Sequence, residues 1–274
     1  MTEFRHLYHR AAFMEIPSYP VEFWIFAAVA VIAVGIGKAG FGGGIGTLAT
    51  PLLALTVPVS AAAATMLPLL VVCDAFSVWH YRASFHKKNI LALIPGAVAG
   101  ITMGALCFHA FLGNDRALKI IVGVLSIVFV LFQIVKNMIF NAIRRRHPRQ
   151  VEGFFMGAAS GFASTIAHAG QPPVLIFLLP QQLQRDIFVG TTVIFFALTN
   201  LLKLIPYYLL NLLQIGQLNT ILLLSPLSYI GVRLGIYLKN VCSDVWFNRI
   251  IYSVLFLTGV QLIIGKSLIN FLFR

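Results

Sequence analysis

The feature that most constrains this chain is a succession of apolar stretches. They lie near residues 21–38, 60–81, 89–112, 117–138, 151–168, 187–210, 217–238 and 246–271, and most are long enough to cross a bilayer as helices. Hydrocarbon offers no water to an unpaired peptide group, so a spanning segment must satisfy its own backbone, which a helix does. The stretches lack the apolar–polar alternation that a barrel strand needs. The expected fold is all-α, a polytopic membrane protein. Composition agrees, since 59% of residues are hydrophobic and only 10% charged, where soluble domains carry roughly a quarter charged. Cys73, Cys107 and Cys242 form no CxxC pair, so neither a disulfide framework nor a zinc site is expected. The polar residues 1–20 lack the layout of a cleavable signal and read as a retained tail.

Two shorter apolar segments, 44–57 and 172–180, cannot span. The first follows "GKAGFGGGIGTLATP" (37–51) and the second follows "GFASTIAHAGQP" (161–172), each rich in helix breakers. Each is expected to be a half-helix joined to the segment before it through an interruption inside the membrane. Positive charge sets the orientation: Arg82, Lys87, Lys88, Arg144, Arg145, Arg146, Arg149, Arg185 and Lys239 mark loops expected in the cytoplasm, whereas 113–116 and 211–216 are nearly bare. That asymmetry accounts for the net charge of +12, so the partner expected is the lipid bilayer and not nucleic acid.

The punctuation recurs. Gly40 with Gly161 and Pro51 with Pro172 are displaced by 121, Asp74 with Asn200 and Tyr81 with Tyr207 by 126, and Pro95 with Pro226, Gly100 with Gly231 and Gly104 with Gly235 by 131. The expected organisation is a tail (1–20), a first repeat (21–138), a basic cytoplasmic linker (139–150) and a second repeat (151–274). Loop charges alternate oppositely in the two repeats, which predicts inverted topology, the pattern of a secondary transporter with its site near the midplane.

An interrupted helix exposes free N–H groups that can hold an anion. Around the first break the candidates are Lys38, Gly42, Gly43, Gly44 and Thr47; around the second, Ser164, Thr165, His168 and Gln171. Thr192, Asn200 and Lys203 from the following span complete the substrate set, and Asp74, central in its own span, is the candidate coupling residue. Ionisable groups at such depth are costly, about 2.5–3.5 kcal/mol each, and so mark function. Cys73 and Cys107, and the row Gly96, Gly100 and Gly104, read as packing residues. No GxxxxGK[ST] loop occurs, and the seven histidines form no HExxH motif; no ATP hydrolysis, enzyme activity, metal or cofactor is expected.

The GFGGG-containing first segment ending in a proline, the acidic and aromatic residues of the next span with its short basic loop, and the "GF...GQPP" stretch followed by "GTTVIFFALTNLLKLIPYY" resemble the sulfite exporter TauE/SafE family. The resemblance covers the chain beyond residue 20. It implies a carrier of two inverted halves in a bacterial inner membrane, moving a small anion such as sulfite, a sulfonate, sulfoacetate or a related organic acid. Proton coupling and a homo-oligomer are compatible with it, and an anion channel on the same scaffold is the alternative. His168 and Gln171, just before Pro172, depart from the small residues more usual there.

Overall fold

A computed structural model describes residues 19–40, 44–142, 148–213, 218–241 and 244–265. Gly42, Gly43 and the arginines at 144–146 lie outside the described residues. The helices are α1 (Val21–Gly40), α2 (Ala49–Leu53), α3 (Val59–Tyr81), α4 (Lys87–Phe111), α5 (Asp115–Ala142), α6 (Gln150–Ala167), α7 (Gln171–Leu178), α8 (Arg185–Leu209), α9 (Leu218–Val241) and α10 (Asp244–Ile264). No strand occurs among the described residues. Six of these helices are long and apolar enough to cross a membrane, α1, α3, α4, α5, α8 and α9. The protein is an integral membrane protein.

Hydropathy alone does not say which apolar face meets protein and which meets lipid. The structure separates them. The C-terminal half of α1 and most of α3 are buried, whereas α4, α5, α8 and α9 turn large side chains outward, among them Leu91, Leu106, Val128, Leu201, Ile205 and Leu222. In lipid the apolar side chains gain nothing by leaving one hydrocarbon for another, so packing rests on close approach and on polar contacts. Small residues provide that approach. A methyl group built on Gly231 would come within 2.7 Å of the Ile32 carbonyl, and one on Gly100 would overlap the carbonyl of Ala158.

These contacts pair the two parts of the chain. Helix α1 packs on α9 and α6 on α4; α3 packs on α8 and α5 on α10; α3 also meets α9 as α8 meets α4. Gly100 faces Ala158 as Gly231 faces Ile32, and Gly104 faces Phe162 as Gly235 faces Ile36. The displacement relating α1 to α6 in these contacts is therefore 126, the same separation that divides Asp74 from Asn200. The sequence match of Gly40 with Gly161 is out of step with that packing by somewhat more than one helical turn. Similar glycine-rich strings mark both breaks, but helix contacts set their register.

The ends at the breaks also differ from a pair of simple half-helices. After the second break α7 is a full two turns, with Pro at its start. After the first, the chain resumes as a 3-10 turn, Gly44–Leu48, and then the single turn α2, which contains Pro51. Freed carbonyls at both breaks receive equivalent partners: the Tyr81 hydroxyl donates to the Ala39 carbonyl at 2.7 Å, and that of Tyr207 to the Thr165 carbonyl at 2.8 Å. Both tyrosines are buried, so each hydroxyl satisfies an acceptor that lipid could not. Ser160 Oγ donates to the Gly170 carbonyl at 2.6 Å and pins the second break.

Candidate functional site

Where the two breaks approach, Lys38, Gly46, Leu70, Ser164, His168, Gln171, Phe196 and Asn200 enclose a cavity of about 30 Å³. That is more than the roughly 10–15 Å³ a single water requires by the same measure. A larger cavity of about 490 Å³ lies between α4 and α8, but its walls, such as Val98, Leu106, Leu202, Ile205 and Leu209, are nearly all hydrocarbon. It offers an ion no compensation for lost water. The smaller cavity does.

The electrostatics centre on Asp74. Lys38 Nζ lies 2.5 Å from Asp74 Oδ1 and also donates to the Leu70 carbonyl at 3.3 Å. Asn200 Nδ2 donates to the other carboxylate oxygen at 2.6 Å. Thus Asp74 stands one hydrogen bond behind the cavity wall, held by two residues that line it. Lys203, fully buried, reaches the other side: its Nζ donates to Ser164 Oγ at 2.9 Å and to the Ser164 carbonyl at 3.1 Å. Because Ser164 Oγ accepts from an amine, its own proton is available to a guest.

His168 supplies the most specific feature. It ends α6 with φ 55° and ψ 26°, in the left-handed region, and its N–H and that of Ala169 bond back to Ser164 and Ala163. This is the hydrogen-bonded helix ending that glycine ordinarily occupies. A side chain here costs about 1–2 kcal/mol, and strain of this kind concentrates at functional sites. The imidazole is buried, with 7% exposed. Nδ1 lies 3.0 Å from Thr50 Oγ1, while Nε2 has no hydrogen-bond partner. Thr50 thus engages one ring nitrogen, and the other, on a side chain that lines the cavity, is left without a partner in the protein.

Of the residues singled out from sequence, Lys38, Ser164, His168, Gln171 and Asn200 line the cavity, with Asp74 and Lys203 in contact behind them. Thr165 and Thr192 do not line it; their hydroxyls donate to Gly161 and Val189 carbonyls of their own helices. Thr47 is buried but not part of the lining. Gly44 opens the 3-10 turn that carries the lining residue Gly46. Sequence reasoning missed Thr50, Leu70 and Phe196. Thr50 meets His168 across 118 residues, which no local pattern reveals, and Leu70 and Phe196 are indistinguishable from neighbouring apolar residues. No cluster of three metal-ligating side chains occurs among the described residues.

A bundle of membrane-spanning helices, interrupted twice and carrying buried ionic side chains near the breaks, defines the class of polytopic membrane proteins. The family model described as sulfite exporter TauE/SafE matches residues 27–262, nearly the whole chain, and the protein belongs to that family of membrane transporters. No curated protein and no solved structure matches the chain.

Proposed function

We propose that this protein is a secondary carrier for a small oxyanion, with sulfite, sulfonates, sulfoacetate and related organic acids as the substrate class. Residues 21–138 and 151–274 act as two inverted halves, which rock to open the cavity to either side of a bacterial inner membrane in turn. The matched helix pairings, together with the two tyrosine contacts, support that organisation. The anion sits against Lys38, Ser164, His168 and Asn200, with Gln171 and Gly46 completing the wall and Lys203 holding the serine. Asp74, which holds both Lys38 and Asn200 at the cavity wall, is the coupling group.

The observation that carries this reading is the unpartnered Nε2 of buried His168, a residue that lines the cavity together with Lys38. A buried polar atom left unsatisfied costs about 1–3 kcal/mol. Ser164 and Asn200, which also line the cavity, carry a hydroxyl and an amide N–H, donors complementary to oxygen atoms bearing negative charge. A cavity of about 30 Å³ must widen to admit such an ion, as alternating access requires.

The test is flux in proteoliposomes. A carrier preloaded with unlabelled sulfite accelerates entry of labelled sulfite and saturates. Conductance without counterflow identifies a channel instead and overturns the carrier mechanism. Asp74→Asn is expected to retain exchange but lose its dependence on a proton gradient; an unchanged dependence removes Asp74 from coupling.

A further inference from the structure

The shift of 126 that relates Asp74 to Asn200 also relates Lys38 to Ser164 and Ser77 to Lys203. The corresponding neighbours in the two halves thus carry one lysine each, but on different helices: α1 in the first half and α8 in the second. Ser77, the counterpart of Lys203, donates to the Cys73 carbonyl of its own helix at 2.8 Å. The acidic partner is not duplicated. Asp74 neutralises Lys38 at 2.5 Å, whereas the neutral Asn200 stands in the corresponding place of the second half. Both hydrogen-bond partners of Lys203 are neutral oxygens of Ser164.

We propose that the cavity takes a singly charged oxyanion, and that Asn200, the uncharged counterpart of Asp74, sets that valence. The inference rests on the anion-carrier reading above and narrows its substrate class. Four ionisable groups bear on the cavity: Lys38 from α1, Asp74 from α3, Lys203 from α8, and His168 from the break. The imidazole, bonded through Nδ1 to a neutral hydroxyl, contributes no charge. Lys38 and Asp74 cancel, so Lys203 is left with no counter-charge and holds its proton as an ammonium only when an anion lies beside it. An unpaired buried charge is unfavourable until a partner arrives, and a monoanion supplies that partner completely. A dianion brings a second negative charge that the site cannot match, and its lost hydration is correspondingly greater. Leu70 and Phe196 in the lining accept an apolar substituent beside the charged oxygens, as in an organic sulfonate.

Calorimetric titration of the purified full chain with methanesulfonate, one charge, and sulfate, two charges, tests this. The wild type is expected to favour methanesulfonate by about tenfold or more. Asp74→Asn uncovers Lys38 and is expected to reverse the preference toward sulfate. The double variant Asp74→Asn/Asn200→Asp relocates the single carboxylate, now beside an amide as before, and is expected to restore the preference for methanesulfonate. An Asp74→Asn protein with unchanged preference, or a double variant that behaves like Asp74→Asn, overturns the valence rule while leaving anion binding standing. A wild type that binds neither ion overturns the anion site itself. If Asp74→Asn does not fold, Lys203→Met decides: it removes the uncompensated charge without touching the cavity lining, and methanesulfonate binding that persists within about threefold overturns the proposal.

Discussion

Replacing His168 by glycine and by alanine separates the backbone strain of this residue from the chemistry of its ring. At φ 55° any residue with a Cβ loses about 1–2 kcal/mol relative to glycine, and the gain that alanine ordinarily draws from its stiffer unfolded chain, about 0.4–1 kcal/mol, offsets only part of it. His168→Gly is therefore expected to be more stable than His168→Ala by about 1 kcal/mol. That order is the reverse of the one seen inside a helix, where alanine leads. For a protein of this size 1 kcal/mol corresponds to about 2–4 °C in melting temperature. Both variants lose the contact at 3.0 Å with Thr50 and enlarge the cavity equally to within a methyl group, so the difference isolates the backbone. Neither variant is expected to bind the anion well. Loss of a hydrogen bond to a charged group, about 1.5–3 kcal/mol, weakens affinity by about 10- to 100-fold. The assay is thermal unfolding followed by intrinsic fluorescence, in one detergent, with and without methanesulfonate. Alanine equal to or above glycine in melting temperature refutes the strain argument; a ligand-induced shift as large in either variant as in the wild type refutes the role of Nε2.

The remaining predictions concern the scaffold. Tyr81→Phe and Tyr207→Phe each strand a carbonyl at a break, at Ala39 and Thr165, and each is expected to lower stability by about 0.6 kcal/mol, the average for interhelical hydrogen bonds in membranes, and by no more than about 1.7 kcal/mol; melting curves that match the wild type contradict the capping role. Gly100→Val forces α4 away from the Ala158 carbonyl, with an expected loss of about 1–3 kcal/mol as for other overpacked contacts. The same substitution at Gly113, where a Cβ meets nothing within 4 Å, is expected to be neutral in the same melting assay. Asp115→Ala removes the carboxylate that accepts the Val59 N–H at 2.8 Å and caps α3. It is expected to cost about 1 kcal/mol, and a stability equal to that of the wild type excludes the cap.

Much of this fold was legible because lipid simplifies the problem. Spans follow from apolar length, and Gly and Pro inside them mark breaks, since little else tolerates irregular backbone at that depth. Lys38, Asp74 and Lys203 stood out for the same reason: an ionisable group in a span is expensive, and these three do converge with Asn200, Ser164 and His168 near one cavity. The rest depends on contacts between distant segments. Thr165 and Thr192 occupy the same stretches as true lining residues, but their rotation on the helix directs each hydroxyl to its own backbone. The shape of the first break also escaped the sequence, because the glycine-rich string permits a 3-10 turn as readily as a half-helix. The register of 126 was present in the pair Asp74 and Asn200. Extending it to the break residues, in place of the closer-looking glycine match, pairs Lys38 with Ser164 and Ser77 with Lys203, and so exposes the missing carboxylate.

The central claim is that the cavity between the breaks is where the anion binds, and a heavier relative of sulfite tests it directly. Crystals grown with selenite are expected to give one anomalous peak within hydrogen-bonding reach of Lys38 Nζ, Ser164 Oγ and His168 Nε2. A selenite peak elsewhere in the molecule, with that cavity empty, would contradict it.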